Sequence, residues 1–420
     1  MVGLRTLGHR AAIAAVRALL GSGFPHAVVL TGPAGVGKST LAVDIAAALL
    51  CSAEEPAARP CGACRPCRMV EHGNHPDLHR LAPSGAGGGI SIGGRGERGV
   101  RDLISDLALL PVEVGARLAI IEAAHRMSED AQSALLKTLE EPPVGTTILL
   151  CADDEERLLP TIRSRCVRIR LGPLGIRDVE AVLAARGVAD APTASRLARI
   201  TDGRPGHAIA FALAPAAATI RGEIARTLLD LLNSGVTARL TGIRELAGRA
   251  AELARELDAG AARAAAIEAG DVPAAAGRGA RAGTGSRRGR RPTGTASAGA
   301  GGGGEAIVAD AAADGSEAAS DGPAARVPAA ERRRAALQLV GIWRSVLRDL
   351  ALAGRGATAS IRDLDLLDDL TTAAPSLSPD RAGELLRDLD LAGERLEGNV
   401  SPELVLDALA LRWVASARPA

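Results

Sequence analysis

Aromatic residues are almost missing from this chain: its 420 residues hold two Phe, two Trp and no Tyr. Hydrophobic residues nevertheless make up 47% of the sequence, so the interior must be built from Leu, Val, Ile and Ala. An excess of charge of one sign is missing too. Lys and Arg number 50 against 49 Asp and Glu, a formal net charge of +1, so no global basic field draws the chain to nucleic acid. Long apolar runs are also missing, and none approaches the ~18 residues that a spanning helix needs. The N-terminus has neither the charged region nor the apolar run and small-residue cleavage site of a signal peptide. These absences predict a soluble, cytoplasmic protein with no membrane partner. In that compartment clustered cysteines more often bind metal than form disulfides.

The length suggests two or three domains at ~100–200 residues each. Residues 8–20 (GHRAAIAAVRALL) read as a short helix. An apolar run, His26–Leu30, leads into a glycine-rich turn and then the helical pattern Thr40–Leu50. A second strand is predicted at Arg117–Ile121. The helix after it carries Ser128, Glu129 and Asp130 in its first turn and Ala131, Ala134, Leu135 and Leu139 at helical spacing. Glu140-Glu141-Pro142-Pro143 ends that helix, because the residue before a proline is pushed out of the helical region. Thr146–Cys151 follows as a third strand. Strands alternating with helices predict an α/β domain with a parallel sheet over 1–172.

From about residue 173 the strand signals stop. Helical patterns run through Ile176–Ala185 and Thr193–Ile200, break at Gly203-Arg204-Pro205-Gly206, and resume to about residue 268. Residues 270–327 are rich in Gly, Ala and Ser, with arginines clustered in the first half and acids in the second. Such a stretch buries too little apolar surface to offset its ordering entropy and reads as a disordered insertion. Helical patterning returns at Ala329–Ala353 and continues to Trp413.

Gly32-Pro-Ala-Gly35-Val-Gly37-Lys38-Ser39, followed by Thr40, fits G-x-x-x-x-G-K-[ST] between a strand and a helix, as a P-loop requires. Its glycines let backbone N–H groups wrap a phosphate and the helix N-terminus adds its dipole. Lys38 would reach the β/γ-phosphates, and Ser39 would offer its hydroxyl to Mg²⁺. This is a site for ATP or ADP with Mg²⁺. Hydrolysis additionally needs an acidic strand end for the metal and a carboxylate to orient water. Glu122 stands at the metal-side position, but the next residue is Ala123, which can do neither job. His125 could be offered as a substitute base, although a solvated loop histidine is the plainer reading.

Cys51, Cys61, Cys64 and Cys67 form C-x9-C-x2-C-x2-C. The two-residue intervals let neighbouring thiolates grip one tetrahedral ion, and four ligands close its shell, so Zn²⁺ in a module at 51–67 would be structural. Cys151 ends a predicted strand and reads as core. Ser164-Arg165-Cys166 means little alone, and its place after the third strand is what gives it interest.

Taken together, GPAGVGKST, the four-cysteine module, SALLKTLEEPP (133–143) and LLPTIRSRC (158–166) resemble the clamp-loader branch of the AAA+ family. Within that branch they are most similar to the bacterial DNA polymerase III delta-prime subunits. The resemblance covers residues 8–172 well, 173–215 moderately and the remainder thinly, through Asn399-Val-Ser-Pro402 leading into Leu404–Leu411. It implies a RecA-like nucleotide domain, a small helical lid at 173–215 and an all-α collar at 216–420. It also implies a hetero-pentameric ring with tau/gamma motor subunits and a delta subunit, acting on a sliding clamp at primer–template DNA. In such rings the arginine of the Ser-Arg-Cys tripeptide reaches a neighbour's ATP, so Arg165 would be an arginine finger in trans.

Motor subunits of the family carry an Asp-Glu pair where Glu122-Ala123 stand and a threonine-rich end on the third strand. This chain has Cys151-Ala152-Asp153-Asp154 at that strand end. Motors also have a lid arginine near the place held by Gly206, and Arg204 is displaced from it. Three such losses point to a subunit that binds nucleotide without turning it over. An active tau/gamma-type motor is the alternative. A zinc-dependent nucleic-acid binder using the arginines at 278–291 is a third reading, weakened by the missing aromatics.

Overall fold

The structure, a computed structural model, describes residues 4–84, 88–94, 96–113, 115–269, 328–398 and 400–413. The stretch 270–327, read from the sequence as a disordered insertion, lies outside the described residues, as does Asn399.

Five parallel strands form one sheet: β1 (Ala27–Thr31), β2 (Leu78–Leu81), β3 (Arg117–Ile121), β4 (Thr146–Ala152) and β5 (Val167–Arg170), in the order β2-β3-β4-β1-β5. Strand β1 lies inside the sheet, pairing with β4 from Ala27↔Ile148 to Thr31↔Ala152 and with the edge strand β5 on its other side. Every residue of β1 and β3 is buried, as expected for a parallel sheet covered on both faces. Alternate residues serve opposite faces. Val28, Leu30, Leu118 and Ile120 share one core with the helix α1 (Arg10–Ser22) and the helix α2 (Lys38–Leu49). Ala27, Val29, Ala119 and Ile121 share the other with α4 (Val100–Leu107) and α5 (Glu129–Glu140). A short α3 (Arg65–Glu71) follows the cysteine module, and α6 (Pro160–Arg163) bridges β4 to β5.

Helix ends form where the sequence supplies caps. Ser128 caps α5 by accepting from the Ala131 N–H at 3.2 Å. Two strands (β2 and β5) and three helices (α3, α4 and α6) escaped the sequence reading. In β5 (VRIR) three of four residues are exposed, and β2 (LHRL) buries only its two leucines. Helix α4, which follows a glycine-rich stretch, was not read either.

Beyond β5 all regular structure in the described residues is helical: α7 (Ile176–Arg186), α8 (Ala191–Ile200), α9 (Pro205–Leu213), α10 (Pro215–Leu231), α11 (Val236–Ala269), α12 (Ala329–Ala353), α13 (Leu367–Ala373), α14 (Pro379–Glu397) and α15 (Pro402–Arg412), with short 3₁₀ turns. One contiguous apolar cluster runs from Val179 to Trp413 through these helices. The two tryptophans meet in it edge to face, Trp343 and Trp413 having centroids 5.3 Å apart. Helices α9 and α11 cross closely, since a Cβ on Gly260 would lie 2.2 Å from the Ala210 carbonyl oxygen. Among the described residues no single helix is long and apolar enough to cross a membrane. The bent pair α9–α10 passes by length and composition, but Ala208, Phe211, Ile224 and Leu228 bury its apolar side within the protein's own core.

Candidate nucleotide pocket and metal centre

The turn leaving β1 is held so that only glycine fits. Gly32, Gly35 and Gly37 have φ of +144°, +75° and +112°, in the region that L side chains rarely enter. A Cβ on Gly32 would sit 2.0 Å from the Leu171 carbonyl oxygen, and one on Gly35 2.5 Å from the His207 ring. Gly37 is the N-cap of α2 and brings no side chain of its own. The first-turn N–H groups, including those of Lys38, Ser39 and Thr40, therefore have no intrahelical partners and carry the positive end of the helix dipole.

This loop, the ends of β3 and β4, the segment 5–9 and helices α7, α9 and α11 surround a cavity of about 480 Å³. The predicted residues Gly35, Gly37, Lys38, Ser39, Thr40 and Glu122 line it. Gly32 is set behind them, at the root of the loop, its N–H donating to Ala152 O at 3.3 Å.

Lys38 is buried and surrounded by oxygens. Its Nζ donates to Gly32 O at 2.7 Å and Pro33 O at 2.8 Å, and pairs with Asp153 Oδ1 at 2.6 Å. Glu122 is also engaged, accepting from both Arg80 Nε, at 3.1 Å, and Arg80 Nη2. Ala123 follows in the left-handed region at φ 48° and lines the cavity with only a methyl group. His125 is not a solvated loop histidine. Its side chain is 9% exposed, its Nδ1 accepts from the Asp153 N–H at 3.1 Å, and its Nε2 lies 3.7 Å from Asp153 Oδ2. Burial, opposed by the Asp153 charge, holds its pKa below the usual histidine range. The ring is thus neutral near pH 7, with its proton on Nε2.

The helical side closes on the loop directly. The Gly206 N–H at the start of α9 donates to Gly35 O at 2.8 Å. Burial pushes the His207 imidazole down to about 4, so it packs on the loop uncharged. Arg204 turns away: its Nε donates to Thr201 O at 3.1 Å, and it lines a separate small cavity with Asp202 and Arg221. The arginine on this side that does line the main cavity is Arg186, the last residue of α7. Sequence reasoning missed it by looking only around Gly203–His207. It also missed Thr6 and His9, which tie the N-terminal segment to the site. Thr6 donates twice to Asp44 Oδ2, at 2.8 and 2.6 Å, and His9 Nε2 meets Val36 O at 2.8 Å. Only the fold brings these sequence-distant groups together.

Arg165 does not line this cavity. It follows α6, with Nη1 donating to Thr161 O at 3.0 Å and Nη2 paired with Glu140 Oε1 at 2.6 Å. Cys166 packs against the core on the α5 side, where burial pushes its thiol up to about 11. Gln132, 3% exposed, braces the chain leading to this tripeptide. Its amide donates to Met127 O at 3.2 Å and Arg157 O at 3.1 Å, and accepts from the Leu159 N–H at 2.7 Å.

The four predicted ligands Cys51, Cys61, Cys64 and Cys67 do come together: their sulfurs all lie within 4.8 Å of one another, and Cys51 Sγ to Cys64 Sγ is 3.9 Å. A tetrahedral ion with ~2.3 Å bonds to sulfur sets its ligands about 3.8 Å apart, so this set could hold one Zn²⁺. Backbone N–H groups point at three of the sulfurs. Ala53 and Cys61 approach Cys51 Sγ at 3.5 and 3.4 Å, Cys64 approaches Cys61 Sγ at 3.3 Å, and Cys67 approaches Cys64 Sγ at 3.5 Å. Burial raises the Cys64 thiol, but N–H groups of Cys67 and Ser52 and the Ser52 hydroxyl outweigh it and bring Cys64 down to about 6. Cys151 is buried in β4, where desolvation pushes it up to about 12.

Residues 11–175 match the family described as "DNA polymerase III, delta subunit". The chain is 42% identical to the DNA polymerase III subunit delta' of Pseudomonas aeruginosa over 34% of its own length and 42% of that protein. It is 36% identical to the subunit delta' of Bacillus subtilis over 37% of its length and 44% of that one. The DNA polymerase III subunit tau of Salmonella typhimurium is 33% identical over 42% of this chain and 27% of its own. The alignments thus span about half or less of these relatives. Over residues 11–175, this chain is thus similar to DNA polymerase III delta-prime subunits.

Proposed function

We propose that this chain is the delta-prime subunit of a bacterial DNA polymerase III clamp loader, a cytoplasmic assembly subunit that binds ATP or ADP with Mg²⁺ without turning it over. The observation that carries this reading is the contrast within one pocket. The glycine loop, Lys38, Ser39 and Thr40 line it, but the position after Glu122 holds the Ala123 methyl, which cannot orient water. Glu122 itself is spent on Arg80.

In this reading residues 1–172 form the nucleotide domain, 173–215 the lid and 216–420 the collar. The collar joins tau/gamma motor subunits and a delta subunit in a hetero-pentameric ring that loads the sliding clamp at primer–template DNA. Arg165, set apart from the chain's own pocket, serves a neighbour's ATP in trans, where such an arginine contributes on the order of 10³–10⁵ in rate. Zn²⁺ on the four cysteines is structural, pinning the module to the end of α2. Resemblance to the tau subunit keeps an active motor as the competing reading. ATP turnover by the purified chain separates the two. Our reading predicts nucleotide binding that Lys38→Ala removes and no turnover above background, whereas sustained turnover abolished by Lys38→Ala would make the chain a motor.

A further inference from the structure

An ammonium group has three N–H donors, and three protein oxygens stand around Lys38 Nζ. Two are carbonyls of its own loop, at 2.7 and 2.8 Å, and the third is Asp153 Oδ1 at 2.6 Å. Asp153 is itself braced by its N–H on His125 Nδ1 and by the facing Nε2 of the same ring. Asp153 thus faces the Lys38 ammonium on one side and the His125 ring on the other. One strand away Glu122 is paired with Arg80. The two charges that a terminal phosphate and its metal would engage, Lys38 and Glu122, are both matched within the chain.

The backbone cradle is untouched by this pairing. First-turn N–H groups of α2 remain directed at the cavity, above an N-cap with no side chain. A phosphate seated in the loop meets these dipoles. A further phosphate reaching Lys38 meets Asp153, and must displace that carboxylate or lie beside it as anion against anion.

We propose that Asp153 is a built-in substitute for the terminal phosphate of a nucleoside triphosphate, making this pocket selective for a nucleoside diphosphate. The proposal rests on the reading that the pocket binds a nucleotide, and adds which one. Like charges a few ångströms apart in a partly buried site are worth on the order of tenfold or more in affinity.

The test titrates N-methylanthraniloyl ADP and N-methylanthraniloyl ATP into the full chain with Mg²⁺, using wild type, Asp153→Asn and Asp153→Ser. The expected result is a diphosphate bound at least about tenfold more tightly by wild type. Asp153→Asn and Asp153→Ser should tighten the triphosphate by about tenfold and leave the diphosphate within about threefold. Equal affinities in wild type, or a preference that neither variant moves while Lys38→Ala abolishes both, would overturn the role of Asp153 and leave nucleotide binding standing. If neither probe binds wild type or variants that keep native circular dichroism and melting, nucleotide binding falls, and the selectivity with it.

Discussion

Removing the Gln132 amide tests whether the path to Arg165 is held as rigidly as its hydrogen bonds imply. The amide joins three backbone groups: it donates to Met127 O and Arg157 O and accepts from the Leu159 N–H. Gln132→Leu keeps roughly the shape and leaves all three groups unmatched in a site that water hardly reaches. At about 1 kcal/mol net for each bond, the loss should be roughly 3 kcal/mol, or about two decades in the folding equilibrium. Gln132→Glu is the sharper perturbation. It preserves the acceptor for Leu159 but turns a carboxylate oxygen toward two carbonyls, so it should be no better than Leu at pH 7.5 and should improve as the acid protonates. Urea titrations of the three proteins measure the loss. Hydrogen exchange of peptides spanning 155–165 should show about a hundredfold faster opening. A loss under about 1 kcal/mol, or a Glu variant as stable as wild type at pH 7.5, would refute the inference that this amide carries the segment.

Other consequences follow from single contacts. His207 is held neutral with a pKa of about 4 against ~6.5 when unfolded. The unfolded chain therefore takes up this proton first as pH falls. Stability should be flat above about pH 6.5 and decline by up to roughly 3 kcal/mol toward pH 4. Urea melts of His207→Gln should lose that part of the slope, and an unchanged slope would clear His207 of the effect. Gly260→Ala forces a Cβ to 2.2 Å from the Ala210 carbonyl oxygen and Gly341→Ala meets nothing within 4 Å. The first should therefore destabilise by about 2 kcal/mol or more and the second stabilise by up to about 1 kcal/mol, measured by urea denaturation. Elemental analysis should find about one Zn²⁺ per chain, falling well below half an equivalent in Cys64→Ser, whose hydroxyl replaces a thiolate. Metal-free wild type with unaltered melting would remove the structural role.

The sheet's centre was legible because burial on both faces writes itself as unbroken apolar runs, as in Ala27–Thr31 and Arg117–Ile121. Its edges were not, since β2 and β5 mix charge into four-residue strands that resemble loops. The cradle glycines and the four cysteines were legible because their chemistry depends on short spacing. Lys38–Asp153, Glu122–Arg80 and Gln132–Leu159 were not, because each pair joins positions that only strand order brings together. An arginine facing the pocket was sought only around Gly203–His207. Arg204 has the expected neighbourhood in sequence but faces another cavity, whereas Arg186 reaches the pocket from α7.

The most direct test of the central claim is ATP turnover by the clamp loader reconstituted with tau/gamma and delta subunits, sliding clamp and primer–template DNA, comparing wild type with Arg165→Ala. Arg165 pairs with Glu140 at the surface and not with its own pocket. The substitution should leave this chain's stability and nucleotide binding unchanged while turnover by the assembly falls by at least about tenfold, in line with loss of an arginine finger. Assembly turnover unaffected by Arg165→Ala, with the variant present in the complex at full stoichiometry, would contradict the account.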